Sequence, residues 1–212
     1  MIVLVLALAY LIGSLPFSWI LIWFLKGVDL RTVGSGNPGA TNALRVAGWG
    51  WGIVALVLDI GKGAAAVVLS PMVLREAEPL WLPSVCGLAA ILGNIFCPWF
   101  KFRGGKAVAT GAGVFLGLAP LGFVLTFLLF GVLVGWTKII SIGSLAAATF
   151  LPLFITYEWR AGFGDAPPAP AVVLVWVVAA LVVARHTGNI RRLIRGTEPK
   201  FTDKAEGKDG DR

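Results

Sequence analysis

Long runs of apolar residues alternate with short polar segments along this chain, and the lengths of the runs suit a lipid bilayer. The hydrocarbon core of a membrane requires about 20 consecutive apolar residues in a helix. The runs cover residues 1–25, about 51–74, 80–100, 107–136, 139–157 and 171–184. The run over 107–136 is too long for one ordinary span and has Pro120 at its middle, which predicts two short helices joined tightly. The pattern predicts an all-α integral membrane protein with about seven transmembrane helices.

The composition agrees with this class and excludes several others. Of the 212 residues, 58% are hydrophobic and 14% are charged, whereas soluble domains average about 45–50% and about 25%. Two cysteines, Cys86 and Cys97, are too few for a secreted disulfide framework, so we expect buried thiols. We expect one polytopic membrane domain over 1–198, followed by a charged, disordered cytoplasmic tail over 199–212.

The basic residues predict the orientation of the chain. The net charge is +7, from 18 Lys and Arg against 11 Asp and Glu. Seven crossings place every basic-rich loop on one face, and the positive-inside rule makes that face cytoplasmic. The N-terminus is then outside and the C-terminus inside. If the run over 107–136 crossed only once, the basic tail would change sides, and a re-entrant hairpin is the alternative for that run.

The first of three polar segments on the predicted cytoplasmic face reads GSGNPGATNALR over 34–45. Its glycines and proline specify a tight, irregular backbone with N–H groups open to a ligand. Such N–H groups and an arginine fork suit a phosphate. The alternative is an ordinary polar turn that caps the next helix. The candidate phosphate contacts are Ser35, Gly36, Asn37, Thr41, Asn42 and Arg45.

The second segment, FRGGKAVAT over 102–110, places Gly104, Gly105 and Lys106 at the start of a predicted helix. Free N–H groups, the positive end of a helix dipole and an ammonium group coincide there, which favours an anion. The segment is not a nucleotide P-loop, because Ala107 replaces the Ser or Thr that holds magnesium and no glycine stands five residues before Gly105. A positively charged turn at the membrane interface is the alternative.

The third segment, HTGNIRRLIRGTE over 186–198, begins with His186, the single histidine of the chain. In a helix, His186 and Asn189 share one face, one turn apart. The alternative for His186 is a polar residue at the membrane interface without a catalytic role. The arginines that follow are equally well explained by attraction to anionic lipid. They are Arg191, Arg192 and Arg195.

Two charges, Asp59 and Lys62, lie inside one apolar run, where each costs about 2.5–3.5 kcal/mol on insertion scales. At positions i and i+3 they can neutralise each other, so we prefer a structural ion pair to contact with a substrate. One histidine and two separated cysteines cannot form a His/Cys zinc site. Acyltransferases with a His-x4-Asp motif are excluded, because the residue five after His186 is Arg191.

The chain resembles the bacterial acyl-phosphate:glycerol-3-phosphate acyltransferases, the PlsY family, over nearly its whole length. The three polar segments and YLIGSLPF over 10–17 carry the match. The resemblance implies transfer of a fatty acyl group from acyl phosphate to the 1-hydroxyl of sn-glycerol 3-phosphate. The products are lysophosphatidate and phosphate, in the first step of phospholipid synthesis. It also implies an active site that faces the cytoplasm from the bacterial inner membrane. We expect a monomer without metal, cofactor or nucleic-acid partner.

The resemblance also implies roles for single residues. The first loop would bind and orient phosphate, and Gly104 and Gly105 would belong to the loop that holds glycerol phosphate. Glu198 resembles the structural glutamate of the family. The proton of the acceptor hydroxyl would go to the histidine or to the substrate's own phosphate. The residues that match catalytic positions are Ser35, Arg45, Lys106, His186 and Asn189.

Two positions depart from the family pattern, and two other functions compete. Asn94 stands where the family usually has histidine, and asparagine carries no proton at neutral pH. Ala107 replaces a common glycine. A transporter of a small phosphorylated anion also suits short, interrupted spans, although no repeat is visible. A structural protein that recruits partners through its basic tail leaves the glycine-rich loops unexplained. We expect transferase activity to survive removal of the residues after Glu198.

Overall fold

The computed structural model describes residues 1–74, 79–162 and 166–203, and within these ranges the chain is helical and has no strand. The predicted all-α class is confirmed. A 3-10 turn, Pro98–Phe100, follows the fifth helix. The helices are α1 (Ile2–Ser14), α2 (Phe17–Lys26), α3 (Ala40–Ala47), α4 (Trp49–Leu74), α5 (Leu82–Ile95), α6 (Val108–Leu118), α7 (Pro120–Thr137), α8 (Ile140–Ala161), α9 (Ala169–Arg185) and α10 (Thr187–Ile194).

The described helices provide five or six membrane crossings by length, where the sequence predicts about seven. The five long apolar segments are Ile2–Lys26, Trp49–Leu69, Leu82–Phe100, Pro120–Thr137 and Ile140–Ala161. A sixth results if α9 and α10, which are bent by 58°, form one span. The helix that separates six crossings from the predicted seven is α6. Its 11 residues extend about 16 Å, which is roughly half of a ~30 Å bilayer core. The two helices predicted for 107–136 are present, with their break at Pro120. The orientation of the termini stays a prediction.

A buried ion pair on α4 holds the broken first span together. Pro16 cannot donate a backbone hydrogen bond, and the helix is interrupted there between α1 and α2. Lys62 donates from Nζ to the carbonyl of Leu15 (2.8 Å) and pairs with Asp59 (2.7 Å). Asp59 accepts from the hydroxyl of Ser18 at the start of α2 (2.5 Å). The ion pair that the sequence predicts is therefore present, and it satisfies the backbone at the break.

Helix α6 packs against α4 so closely that the two backbones touch. A Cβ atom added to Gly63 of α4 would lie 2.1 Å from the carbonyl oxygen of Thr110. A Cβ atom added to Gly113 of α6 would lie 1.8 Å from the carbonyl oxygen of Ile60. Small residues permit such close packing between helices in lipid, where association depends on van der Waals contact. This packing fixes the start of α6, and therefore the second polar segment, beside the ion pair of α4.

The hydrophobic core lies between α5, α6, α8 and α9. Ile91, Phe115, Ile155 and Val175 come from these four helices and are at most 1% exposed. Large apolar side chains on the outer surface, such as Leu128 and Trp136 of α7, are exposed, as a surface in contact with lipid requires.

We expect Gly63→Ala to lower the free energy of unfolding by about 1–3 kcal/mol, because the new methyl group would force α4 and α6 apart. Gly61→Ala on the same helix is the matched control, since its Cβ would meet no atom within 4 Å. Thermal unfolding of both variants in one detergent measures the difference. Equal unfolding midpoints for the two variants would contradict the close packing of these helices.

Candidate active site

The three polar segments surround one cavity of about 490 Å³. They are far apart in the chain, and the helices bring them together on one side of the bundle. Of the predicted site residues, all except Gly36 and Asn42 line this cavity. The lining residues among them are Ser35, Asn37, Thr41, Arg45, Asp59, Lys62, Gly104, Gly105, Lys106, His186, Asn189 and Glu198.

The first segment is a loop whose shape depends on Asn42. This side chain is fully buried, and its amide group donates to the carbonyls of Leu30 (2.8 Å) and Val33 (3.0 Å). Its oxygen accepts from the N–H of Ser35 (3.0 Å). Both amide hydrogens are therefore used within the protein. The Asn42 side chain therefore holds the loop and does not line the cavity, and its contact with phosphate stays a prediction. Gly36 likewise lies outside the cavity wall, at a φ of 69° that favours glycine.

Arg45 brings a cation from α3 into the cavity wall. Its Nη2 donates to the carbonyl of Pro199 (3.1 Å), whereas its buried Nε has no partner among the described residues. Burial lowers the pKa of Arg45, and the carboxylates of Glu198 and Asp203 act in the opposite direction. Arginine stays protonated in proteins, so a charged donor is available here to an anionic ligand.

The second segment is anchored by Asn94, the residue that departs from the family pattern. A Cβ atom on Gly104 would lie 2.0 Å from the carbonyl oxygen of Asn94, so glycine is required by the close approach. The N–H groups of Gly105 and Ala107 donate to the backbone and side-chain oxygens of Asn94, at 3.0 Å each. Arg185 donates to the carbonyl of Gly104 (3.1 Å). The anchoring role requires an acceptor and no titratable proton.

Ala107, the second departure, adopts the left-handed conformation with a φ of 57°. A residue with a Cβ atom is strained in this conformation by roughly 1–2 kcal/mol, and glycine is not. The hydrogen bond from the N–H of Ala107 to Asn94 stabilises this conformation, and so does burial, since Ala107 is 4% exposed. The glycine that the family commonly has here therefore suits the backbone better than alanine does.

Lys106 joins the second segment to the third. Its ammonium group donates to Oδ1 of Asn189 in α10. Burial lowers the pKa of Lys106 to about 8, Glu198 opposes this effect, and nearby arginines strengthen it. The lysine therefore carries its charge at neutral pH at some energetic cost. A bound phosphate would reduce that cost.

Glu198 accepts hydrogen bonds from side chains of two helices, α8 and α10. One carboxylate oxygen accepts from Ser141 of α8 (2.8 Å) and from the amide group of Asn189 (2.5 Å). The other accepts from Nε of Arg192 (2.7 Å). Burial alone would raise the pKa of Glu198, but these donors outweigh it and the pKa is lowered. The carboxylate is therefore ionised and fixes the third segment against α8.

Sequence reasoning assigned no site role to Ser141 or Arg192, which both line the cavity. The sequence does not distinguish Arg192 from Arg191 and Arg195, because attraction to anionic lipid explains all three equally well. The sequence contains a signal for Ser141, because SIGS at 141–144 resembles a short part of the family pattern.

His186 lies at the end of α9 and is 2% exposed. Its Nδ1 is 2.8 Å from the carbonyl oxygen of Val182, and a carbonyl only accepts, so Nδ1 carries the hydrogen. Burial lowers the pKa of His186 to about 4, and the charge of Lys106 adds to this effect. At neutral pH the ring is therefore uncharged, with a lone pair on Nε2. Such a ring accepts a hydrogen bond well and is a weak base.

We expect His186 to titrate with a pKa of about 4, well below its ordinary value of 6.5. The shift has the sign that burial imposes, since burial disfavours the charged imidazolium. Nuclear magnetic resonance of protein labelled with ¹⁵N-histidine measures it directly, because the chain has a single histidine. The acid-unfolded protein provides the reference spectrum. A folded-state midpoint near 6.5 would contradict the buried, neutral ring.

Comparison with known proteins identifies the family. Residues 3–196 match the family described as glycerol-3-phosphate acyltransferase. The glycerol-3-phosphate acyltransferase of Parasynechococcus marenigrum (strain WH8102) is 45% identical over 95% of this chain and 91% of its own. The corresponding protein of Halalkalibacterium halodurans is 41% identical over 93% of this chain and 94% of its own.

The fold comparison agrees. The crystal structure of PlsY (YgiH), an integral membrane glycerol 3-phosphate acyltransferase, in its glycerol 3-phosphate form superposes with a TM-score of 0.82. The two sequences are 35% identical, and the match covers 94% of each chain. The relatives named here are all acyltransferases, which leaves the transporter alternative without support. The matches extend from the first span to the third polar segment, and the chain belongs to the glycerol-3-phosphate acyltransferase family.

Proposed function

We propose that the chain transfers a fatty acyl group from acyl phosphate to the 1-hydroxyl of sn-glycerol 3-phosphate. The products are lysophosphatidate and inorganic phosphate, and the site faces the cytoplasm from the bacterial inner membrane. The observation that carries the proposal is the composition of the single cavity described above. Its wall combines cationic groups and glycine-rich loops with a long apolar surface.

The cationic part of the cavity supports two phosphate-bearing substrates. Arg45, Lys106 and Arg192 line it, together with the loop around Ser35 and the start of α6. A helix N-terminus and an ammonium group favour a phosphate at the second segment. The solved relative exists in a glycerol 3-phosphate form and in a lysophosphatidic acid form, which supports the same acceptor and product for this chain.

The apolar part of the cavity supports a fatty acyl donor. Phe127 and Phe130 of α7, Leu151 of α8 and Val178 of α9 line it. Leu151 follows Ser141, at the charged end, by ten residues on one helix, which is about 15 Å at 1.5 Å per residue. An acyl chain lying along this surface would place its reactive carbonyl beside the cations.

The chemistry needs little activation by the protein. Acyl phosphate is a mixed anhydride, so attack by the 1-hydroxyl on its carbonyl carbon forms the ester as the bond to the phosphate oxygen breaks. The released phosphate takes the electron pair of that bond, and cations stabilise its charge. Positioning two bound phosphates in one cavity brings the hydroxyl and the carbonyl into contact.

The low basicity of His186 favours a substrate phosphate as the acceptor of the hydroxyl proton. A phosphate monoester has a second pKa of about 6, above the pKa of about 4 to which burial lowers His186. Before the substrates bind, the imidazole is therefore the weaker of these two bases, which supports a substrate phosphate as the proton acceptor. Nε2 of His186 accepts a hydrogen bond from the hydroxyl and orients it.

The chain acts as a monomer in this proposal. Among the described residues, no group of three or more His, Cys, Asp or Glu is arranged to hold a metal ion. Activity without a metal is a prediction that the following assay includes.

We expect the purified full-length protein to release phosphate from palmitoyl phosphate in EDTA, and only when glycerol 3-phosphate is present. Mass spectrometry should identify 1-palmitoyl-glycerol 3-phosphate. Lys106→Ala should lower the rate by about 100-fold or more, because it removes a cation from the phosphate site. Lys101→Ala, in an exposed position of the same connection, is the matched control and should leave the rate unchanged.

The donor is tested in the same assay by replacing palmitoyl phosphate with palmitoyl-CoA or palmitoyl-acyl carrier protein. Transfer from either thioester at a comparable rate would contradict acyl phosphate as the specific donor. Phosphate release without acceptor, or with no acylated product, would contradict the transferase itself.

A further inference from the structure

The chain continues past Glu198 and contacts the candidate site, with Pro199 in the cavity wall. The carbonyl of Pro199 accepts from Nη2 of Arg45 (3.1 Å). The N–H of Phe201 donates to the carbonyl of Lys138 (2.8 Å). We name residues 199–201 the C-terminal strap. The rest of the tail predicted from sequence, from residue 204 onwards, lies outside the described residues.

Phe201 anchors the strap to the ends of two helices, α7 and α4. Lys138 is the C-terminal cap of α7, where a carbonyl lacks a helical partner, and Phe201 provides that partner. The ring of Phe201 also packs edge-on against Trp49 at the start of α4, with 5.1 Å between ring centroids and an angle of 82° between planes. Two anchors of different kinds, one polar and one aromatic, therefore hold the strap in place.

The strap contacts the guanidinium group of Arg45. An arginine side chain loses rotamer entropy when it is fixed. Pro199 binds one end of the guanidinium, while the buried Nε has no partner among the described residues. The strap directly follows Glu198, whose carboxylate is bound by Asn189 and Arg192. One short segment therefore connects the Glu198 hydrogen bonds to Arg45.

We propose that the C-terminal strap belongs to the active site, where it pre-orients Arg45 towards a substrate phosphate. Pro199 and Phe201 are positioning residues that act through Arg45, and the inference rests on the proposed function. It replaces the expectation that activity survives removal of the residues after Glu198. Such pre-organisation lowers the entropic cost of binding and leaves the chemical step largely unchanged.

The test uses the full-length enzyme and measures kcat and KM for both phosphate-bearing substrates. Phe201→Ala removes the aromatic anchor, and Phe201→Tyr is the matched control that keeps the ring. We expect Phe201→Ala to raise at least one KM by about tenfold and to change kcat by less than about threefold. Truncation after Glu198 should have a larger effect on the same KM. Truncation after Asp203, which keeps the strap, should match the full-length chain.

A double-mutant cycle separates positioning from general destabilisation. Adding Phe201→Ala to Arg45→Ala should cause no further loss, because the strap acts through the guanidinium. Effects that multiply in the double mutant would overturn the proposal, as would KM values within about twofold of wild type in Phe201→Ala and in the chain ending at Glu198. Thermal unfolding of each variant checks that the protein is folded.

A wild-type protein without transfer activity would refute the proposed function, and the strap would then be judged by binding. Isothermal titration calorimetry with glycerol 3-phosphate gives the dissociation constant for the same variants. Weaker binding by Phe201→Ala and unchanged binding by Phe201→Tyr would support the strap without the enzyme activity. Equal binding by all variants, or none by the wild type, would overturn it.

Discussion

The carboxylate of Glu198 is the group on which the candidate site depends. Lys106 and Arg192 line a partly buried cavity with Arg45, and positive charges this close repel one another. Glu198 offsets the repulsion and binds Ser141, Asn189 and Arg192 directly. Through Asn189 it also fixes Lys106. Removing one partner of such a partly buried network leaves charges and donors uncompensated, and this is costly where they are poorly solvated.

The membrane imposes the second constraint, because every polar backbone group in lipid must find a partner within the protein. The first span is broken at Pro16, and the ion pair of Asp59 and Lys62 compensates the break. The glycine contact at Gly63 then brings α6 against the same part of α4. A helix shorter than an ordinary membrane span can therefore begin at a fixed place, with Lys106 at the cavity.

The helical class, the three polar segments and most of the charged residues in the cavity wall could be predicted from sequence, because apolar run length and glycine-rich loops are local signals. The role of Asn42 in holding the loop could not be predicted, since an amide side chain that binds the backbone looks the same in sequence as one that binds a ligand. The strap could not be predicted either, because its contacts with Trp49 and Lys138 join residues distant in the chain. The sequence shows that Asn94 departs from the family pattern, but its anchoring role is visible only in its contacts.

The most direct test of the role of Glu198 is the affinity of Glu198→Gln for glycerol 3-phosphate, measured by calorimetry on folded protein. If Glu198 organises the cations, the variant should bind more weakly, because Arg192 loses its partner and the pKa of Lys106 falls further below its ordinary value. If the carboxylate merely stood near the phosphate, removing its negative charge would strengthen binding. Weaker binding is the result that the account predicts, and tighter or unchanged binding would contradict it.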